Sequence, residues 1–317
     1  MTIFKDNELI KFSVFTPVYN RKDKIHRVWN SLNNQTYKNF EWIIVDDGSM
    51  DDILPLLNSY KEQALFNVVV LTQSNQGKHI AWNRAVEIAV GELFVPADSD
   101  DEFAPESLEV FAKQWNSIPE NDRIKYSGIN VLCKDVLTGE IIGDKFPNSP
   151  FTSNNLDLVF KYNIKGDKWG CIRTDVLRLR KNPDIPSDHC PESWLWFWLA
   201  RRYSTLCINY VLNIVYRGEG GNLSDRSNLK ILKRRFPILY VYYSWHLSSN
   251  IDYLLKYNKT NEIIKDFIKL WTAVFYLKKN NLVFLKDLKS FYSRCFAVLT
   301  LIPGWLYFYI ILRPKLK

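Results

Sequence analysis

The sequence of 317 residues predicts an α/β protein: a mostly parallel sheet flanked by helices, followed by a helical extension. Three observations lead there. Over the first hundred residues, short Val- and Ile-rich runs, apolar on both faces, alternate with amphipathic stretches, the pattern of strands buried on two sides and joined by helices. Each apolar run ends in a cluster of Asp, Asn, Gly or Ser. The charge is also divided: residues 226–317 hold 17 Lys/Arg against 4 Asp/Glu, and residues 1–225 hold 25 against 30.

Phe12 to Thr16 reads as the first strand, stopped by Pro17, and residues 21–34 as a helix. Phe40 to Val45 is a second strand running into Asp46-Asp47-Gly48-Ser49, after which Asp51 or Asp52 is placed to cap a helix. Asn67 to Leu71 is a third strand, and Lys78 to Val90 a helix stopped by Gly91. Glu92 to Pro96 is a fourth strand, ending on Ala97-Asp98-Ser99-Asp100-Asp101. Beyond it, Ile124 to Cys133 reads as a strand with a turn at Thr138-Gly139-Glu140, and Gly143 to Asn155 as a polar loop. A helix is expected from Pro191-Glu192 to Arg202, a strand from Leu206 to Tyr216, and a flexible loop over Gly218 to Asn222. The change in charge balance puts the domain boundary near residue 225, giving a first domain at 1–225 with halves 1–120 and 121–225, and an extension at 226–317.

Composition narrows the function classes. With 47% hydrophobic and 24% charged residues the chain is globular, neither disordered nor a fibre. Five cysteines without C-x-x-C spacing read as thiols in a reducing compartment, not as a disulfide framework or a zinc site. Asp6, Glu8 and the lack of an early apolar stretch give the expectation of a cytoplasmic protein without a signal peptide.

The polar clusters carry the chemistry. All follow the carboxyl ends of expected strands, the edge of an open α/β sheet where ligands bind. Asp98 and Asp100 alternate on an extended loop and are hard oxygen donors suited to Mg²⁺ or Mn²⁺, which bind through one or two carboxylates plus substrate phosphates. The same run serves equally as the cap and acidic first turn of a helix before Ala104-Pro105-Glu106.

Ser13 to Asn20, Glu41 to Ser49, Asn75-Gln76-Gly77-Lys78 with Ala81 to Ala85, and the Asp98 cluster together resemble, in order and spacing, the inverting glycosyltransferases of family 2 with the GT-A fold. The resemblance covers roughly residues 11–225 and implies roles residue by residue. Thr16, Pro17 and Tyr19 would line the base pocket of a nucleotide-diphosphate sugar, most simply a UDP-sugar. Asp47 would hydrogen-bond the base, Lys78 would sit by the diphosphate, and Asp98 would contact the ribose. Asp100, alone or with Asp98, would bind the metal. Pro191-Glu192-Ser193-Trp194-Leu195-Trp196 fits the family's acid-x-x-x-Trp pattern, which makes Glu192 the general base and Asp188 the fallback; a first-turn helix acid is the plainer reading. Two departures stand out. The loop from Arg217 to Ser224 has no His, so Arg217 either takes over the diphosphate or is an exposed turn residue. The Gln-x-x-Arg-Trp motif of processive synthases is absent, which favours transfer of a single residue. Asp167 and Lys168 form either part of an acceptor wall or a surface turn.

The extension carries 19 of the 47 aromatic residues, and its uncharged run from Phe296 to Leu312 is interrupted by Pro303-Gly304 and closed by Arg313, Lys315 and Lys317. Amphipathic helices lying on an anionic membrane surface are expected, with packing onto the first domain or into a homo-oligomer as the competing uses; the apolar run argues against nucleic acid. The expected whole is a Mn²⁺- or Mg²⁺-dependent inverting glycosyltransferase, peripheral on the inner face of the cell membrane, acting on a lipid-linked or surface-glycan acceptor. A nucleotidyltransferase and a non-catalytic membrane-associated scaffold are the alternatives.

Overall fold

The computed structural model describes residues 11–218 and 229–316, and in these ranges all side chains except those of residues 229–232, 281–283 and 316. The loop expected over 219–222 and the boundary near 225 lie outside the described residues.

Packing divides the chain into two compact units. The first comprises residues up to Asn154, Ile164–Asn182 and Arg202–Glu219. It holds a nine-stranded sheet built from β1 (Phe12–Val18), β2 (Phe40–Asp46), β3 (Asn67–Thr72), β4 (Leu93–Pro96), β5 (Glu102–Phe103), β6 (Tyr126–Asp135), β7 (Phe151–Ser153), β8 (Lys168–Arg173) and β9 (Ser204–Val215). Its helices are α1 (His26–Asn33), α2 (Leu54–Gln63), α3 (Lys78–Ile88), α4 (Ser107–Ser117), α5 (Glu120–Arg123) and α6 (Thr174–Arg178).

The strand order is β3-β2-β1-β4-β8-β6-β9-β5, with β7 also paired to β9. The first four strands are parallel, as their two-sided apolar character requires. Beyond β4 the sheet is mixed: β8 runs antiparallel to β4 and β6, while β9 is parallel to β6. The carboxyl ends of β1, β2, β4, β6 and β9 and the amino end of β8 therefore share one edge. At the opposite edge the buried Glu41 carboxylate accepts from Ser13 Oγ (2.6 Å) and Val90 N (2.8 Å), while Ser13 Oγ accepts from Gly91 N (2.8 Å). This network joins β2 to β1 and to the entry of β4 without leaving a buried charge unsatisfied.

Several local expectations are corrected. The helix foreseen over 21–34 begins at His26, because residues 21–25 form a turn on the Arg21 carbonyl. Neither Asp51 nor Asp52 caps α2: Asp51 Oδ2 accepts from Lys22 N at 2.8 Å, Asp52 sits at φ 54°, and the helix starts after Ile53 without a side-chain cap. The Asp98 cluster does not cap α4, since β5 intervenes and Glu106 occupies the cap position. The polar loop expected at 143–155 contains β7, which pairs with β9. All five cysteines are free thiols, as expected.

The second unit takes Asn155–Asn163 and Pro183–Arg201 together with the C-terminal residues. It contains α7 (Ser193–Ala200), α8 (Leu229–Lys256), α9 (Thr260–Tyr276), α10 (Asn281–Asp287), α11 (Phe291–Leu299), α12 (Leu301–Leu306) and α13 (Arg313–Leu316). Leu156, Phe160 and Phe197 from the two earlier segments share one core with Phe236, Leu247, Phe267 and Trp271. The apolar run breaks at Thr300, between α11 and α12, instead of at Pro303-Gly304. Pro303 cannot donate to the carbonyl of Leu299 and crowds it, so the break falls a turn earlier and Pro303 sits in the first turn of the next helix.

His246 lies in this core, 2% exposed, its ring stacked on Tyr242 and its Nδ1 3.2 Å from Asn250 Nδ2. Burial, with the neighbouring Lys269, pushes it down to about 4 from the ordinary 6.5, so it is neutral at pH 7. Asp266, 3.7 Å from Nε2, is raised by its own burial and titrates in the opposite sense. The unfolded chain binds a proton at His246 below pH 6.5 while the folded chain resists until about 4, so His246 contributes a loss of stability as pH falls through that window. Denaturant unfolding at pH 7 and pH 4.5 is expected to show a larger loss in the native protein than in His246→Gln. Equal losses would assign the pH response elsewhere.

Candidate active site

The polar clusters converge on the shared edge, and their construction is visible in the hydrogen bonds. The sheet ladder continues past the strands: Asp47 N bonds to Val18 O, Gln73 N to Asp46 O and Ala97 N to Phe15 O, at 2.8–2.9 Å. The loops after β1 and β2 are tied together, with Asn20 N on Ser49 Oγ (2.9 Å) and Met50 N on Asn20 Oδ1 (2.7 Å).

Asp47 is the hub of the edge. It is 4% exposed, and its carboxylate accepts from Gln73 Nε2 (2.7 Å) and Gln76 N (2.8 Å) through Oδ1 and from Gly77 N (2.8 Å) through Oδ2. Of the four acceptor positions of a carboxylate, three are thus used to hold loop 73–77, and among the described residues none takes the second position on Oδ2. Gly48 must be glycine: at φ +78° a Cβ would lie 2.8 Å from Asn75 N, in the backbone of that same loop. The loop delivers Gly77 to the start of α3 at φ 107°. Lys78, next in the chain, places its ammonium 2.7 Å from Asp98 Oδ1.

The acidic cluster is gripped from several sides. Arg21 reaches Asp100 Oδ2 at 3.7 Å, and Arg27 donates to the Asp100 carbonyl at 3.0 Å. The Arg27 guanidinium lies 3.6 Å over the ring of Tyr216, whose hydroxyl donates to Glu102 Oε1 (2.8 Å). Asn213 Nδ2 donates to Asp101 Oδ2 at 3.3 Å. Burial, reinforced by the negative charges of Asp98 and Asp100, pushes Asp101 up to about 7. Among the described residues, no three His, Cys, Asp or Glu side chains are grouped to hold a metal by themselves. Asp98 and Asp100 suit the other arrangement, in which one or two carboxylates and the substrate's phosphates share the ion.

The sequence-predicted residues are placed as follows. Thr16 faces the core, where its Oγ1 accepts from Trp42 Nε1 at 2.9 Å, while Pro17 is half-buried and Tyr19 is 40% exposed at the edge. Asp47, Lys78, Asp98 and Asp100 come together. Arg217 lies at the end of β9 and pairs with Asp167 at 2.9 Å, so the two residues read separately from the sequence form one ion pair at this edge. Glu192 and Asp188 belong to the other unit. Glu192 is exposed at the N-cap of α7 and makes no capping bond, and Asp188 is paired with Arg234 at 3.0 Å. Sequence reading missed Arg21, Arg27, Gln73, Asn213 and Tyr216 beside these residues, since each is brought there by contacts distant in sequence.

The sequence profile described as glycosyl transferase family 2 matches residues 13–122. The putative teichuronic acid biosynthesis glycosyltransferase TuaG of Bacillus subtilis is 33% identical over 188 residues, which cover 58% of this chain and 70% of TuaG. The chain belongs to glycosyl transferase family 2. Two solved structures agree on its architecture: S. aureus TarS 1–349 in complex with UDP-GlcNAc (TM-score 0.59, 20% identity, covering 96% of this chain and 92% of that one) and the mannosyltransferase PcManGT from Pyrobaculum calidifontis in complex with GDP-Man and Mn²⁺ (TM-score 0.52, 18% identity, 96% and 83%). The fold of this family 2 chain is thus the GT-A fold expected from the sequence. It spans less than half the length of several other curated relatives that it matches.

The family 2 chain offers a direct contrast between a buried clamp and a half-open ion pair. Asp47→Asn keeps the shape but sets an NH₂ against backbone donors, and is expected to cost about 1–3 kcal/mol in denaturant unfolding. Lys78→Met, at a pair whose side chains are 28% and 46% exposed, is expected to stay within about 1 kcal/mol of the native protein. The reverse order would contradict the roles given to the two residues.

Proposed function

We propose that the chain is an inverting, metal-dependent glycosyltransferase that moves a single sugar from a UDP-sugar to a lipid-linked or surface-polysaccharide acceptor. The observation that carries this reading is the assembled edge: the loop held by Asp47 presents Lys78 to Asp98, beside Asp100 and two arginines. That edge offers cations to a diphosphate and carboxylates to a ribose and a metal. The relatives point the same way, through UDP-GlcNAc bound by TarS, Mn²⁺ bound by PcManGT and the surface-glycan role named for TuaG.

In this reading Pro17 and Tyr19 line the base, and the open position on Asp47 Oδ2 accepts its N–H. Asp98 holds the ribose hydroxyls. Lys78 moves from Asp98 to the diphosphate once the nucleotide enters, and Arg217, now paired with the exposed Asp167, joins it there in this reading. Asp100, alone or with Asp98 beside it, would hold Mn²⁺ or Mg²⁺, an ion that would supply positive charge to neutralise the departing diphosphate. Glu192 takes the proton of the attacking acceptor hydroxyl. The hydroxyl oxygen bonds to the anomeric carbon on the face opposite the diphosphate, the bond from that carbon to the diphosphate oxygen breaks, and UDP leaves with the electron pair. Asp188, engaged by Arg234, is the second choice for the base. Family membership sets the nucleotidyltransferase alternative aside.

Glu192→Gln is expected to lower turnover by about 10²–10⁴ while UDP still binds, as for loss of a general base. Asp100→Ala is expected to abolish the Mn²⁺-dependent part of UDP binding measured by calorimetry. Turnover unchanged in the Gln variant would remove Glu192 from the mechanism. UDP binding that is absent from the native protein with either metal would restore the reading of a non-catalytic scaffold.

A further inference from the structure

The C-terminal helices carry an apolar face that the second unit does not cover. From α11 through α12 to the π-helical turn at Tyr307–Leu312, a stripe of Ser293, Ala297, Thr300, Gly304, Phe308 and Leu312 is buried at three- and four-residue spacing. It is pinned to α9: Trp271 Nε1 donates to the Ala297 carbonyl at 3.0 Å, and Gly304 lies so close that a Cβ there would be 2.6 Å from Trp271 Cβ. The opposite side is the unusual one. Phe291 is 74% exposed, Leu299 72%, Ile302 69% and Ile310 63%, with Tyr292, Val298, Trp305, Leu306 and Ile311 also outward. Soluble surfaces do not ordinarily present so many large apolar side chains in some twenty residues.

What lies around this face identifies its partner. Residues 288–317 contain no Asp or Glu, and the exposed Lys289 and Arg294 stand before the apolar run, Arg313 and Lys315 after it. Trp305 and Tyr307, each with an apolar body and a polar tip, sit on the same surface. Among the described residues no single helix is long and apolar enough to cross a bilayer, and the two segments meet at a bend of 55°. Crossing is also opposed by the packing. α9 lies along α12 and residues 307–312, and carries Glu262, Lys265, Asp266 and Lys269, which would have to follow into hydrocarbon.

We infer that this face seats the chain on an anionic bilayer as a monotopic anchor, its apolar side chains in the acyl boundary and its basic residues among the headgroups. The negatively charged leaflet that such a face fits is the cytoplasmic one. The inference does not rest on the donor-site reading, since no residue of that site takes part.

Flotation of the full-length protein with phosphatidylcholine vesicles, with and without phosphatidylglycerol, tests it. The native protein is expected to bind the anionic vesicles more tightly than the neutral ones. The double variant Leu299→Glu/Ile302→Glu, at two exposed positions, is expected to bind about tenfold or more weakly. Arg313→Glu/Lys315→Glu is expected to lose the preference for phosphatidylglycerol. Circular dichroism and thermal unfolding of both variants, unchanged from the native protein, verify that they are folded. The inference is overturned if the native protein fails to float with anionic vesicles, or if Leu299→Glu/Ile302→Glu floats as well as native. It is equally overturned if the native protein ignores vesicles and is a dimer that this double substitution dissociates, which would make the face a contact between copies.

Discussion

The donor edge depends on one buried carboxylate. Asp47 is buried, and its carboxylate takes the amide hydrogens of Gln76 and Gly77 and the side-chain amide of Gln73. A buried anion that accepts several short, charge-assisted bonds is strongly held, and leaving it unsatisfied would be costly. Its demand for donors therefore dictates the path of loop 73–77, and that path fixes where α3 begins and which way Lys78 leaves it. Gly48 is the steric counterpart, since only a residue without a Cβ lets the loop come this close. The Lys78–Asp98 pair is a consequence of this arrangement more than a cause of it. Being partly solvated, that pair is free to exchange partners, whereas the clamp is not.

The two units divide the labour by the kind of surface they expose. The sheet unit presents carboxylates and cations on one edge, held by bonds between segments far apart in sequence, such as Asn213 to Asp101 and Tyr216 to Glu102. The helical unit carries no acid in residues 288–317 and presents a broad apolar face there. Glu192 and Asp188 belong to this second unit by packing, although they precede most of it in the chain. The candidate base is thus built on helices and the donor edge on a sheet.

Much of the sheet unit was legible before any coordinates. β1 to β4 announce themselves because both faces of each strand are apolar and each ends in turn-forming polar residues, signals that are local. The Asp47, Lys78, Asp98 and Asp100 cluster followed from those turns sharing an edge. What the sequence concealed was non-local or ambiguous in local chemistry. Asp51 looks like a helix cap because Asp caps helices, yet the amide that claims it, Lys22 N, comes from the neighbouring loop. Thr16 follows the strand into the edge motif, but strand alternation turns its side chain inward to Trp42. Arg27 is one helix residue among many until the fold brings Asp100 and Tyr216 to it. Pro303-Gly304 did mark a broken helix, but steric conflict with the preceding turn moved the break to Thr300.

The dependence of the donor edge on Asp47 is most directly read by amide hydrogen exchange at Gln76 and Gly77 in the nucleotide-free protein. If the carboxylate organises the loop, both amides exchange at least about a hundredfold more slowly than an unstructured chain, and replacing Asp47 by Ala returns them toward the unstructured rate while amides in β1 and β2 stay protected. Unprotected Gln76 and Gly77 amides in the native protein would contradict the account, for the loop would then take its shape only when a ligand imposes it.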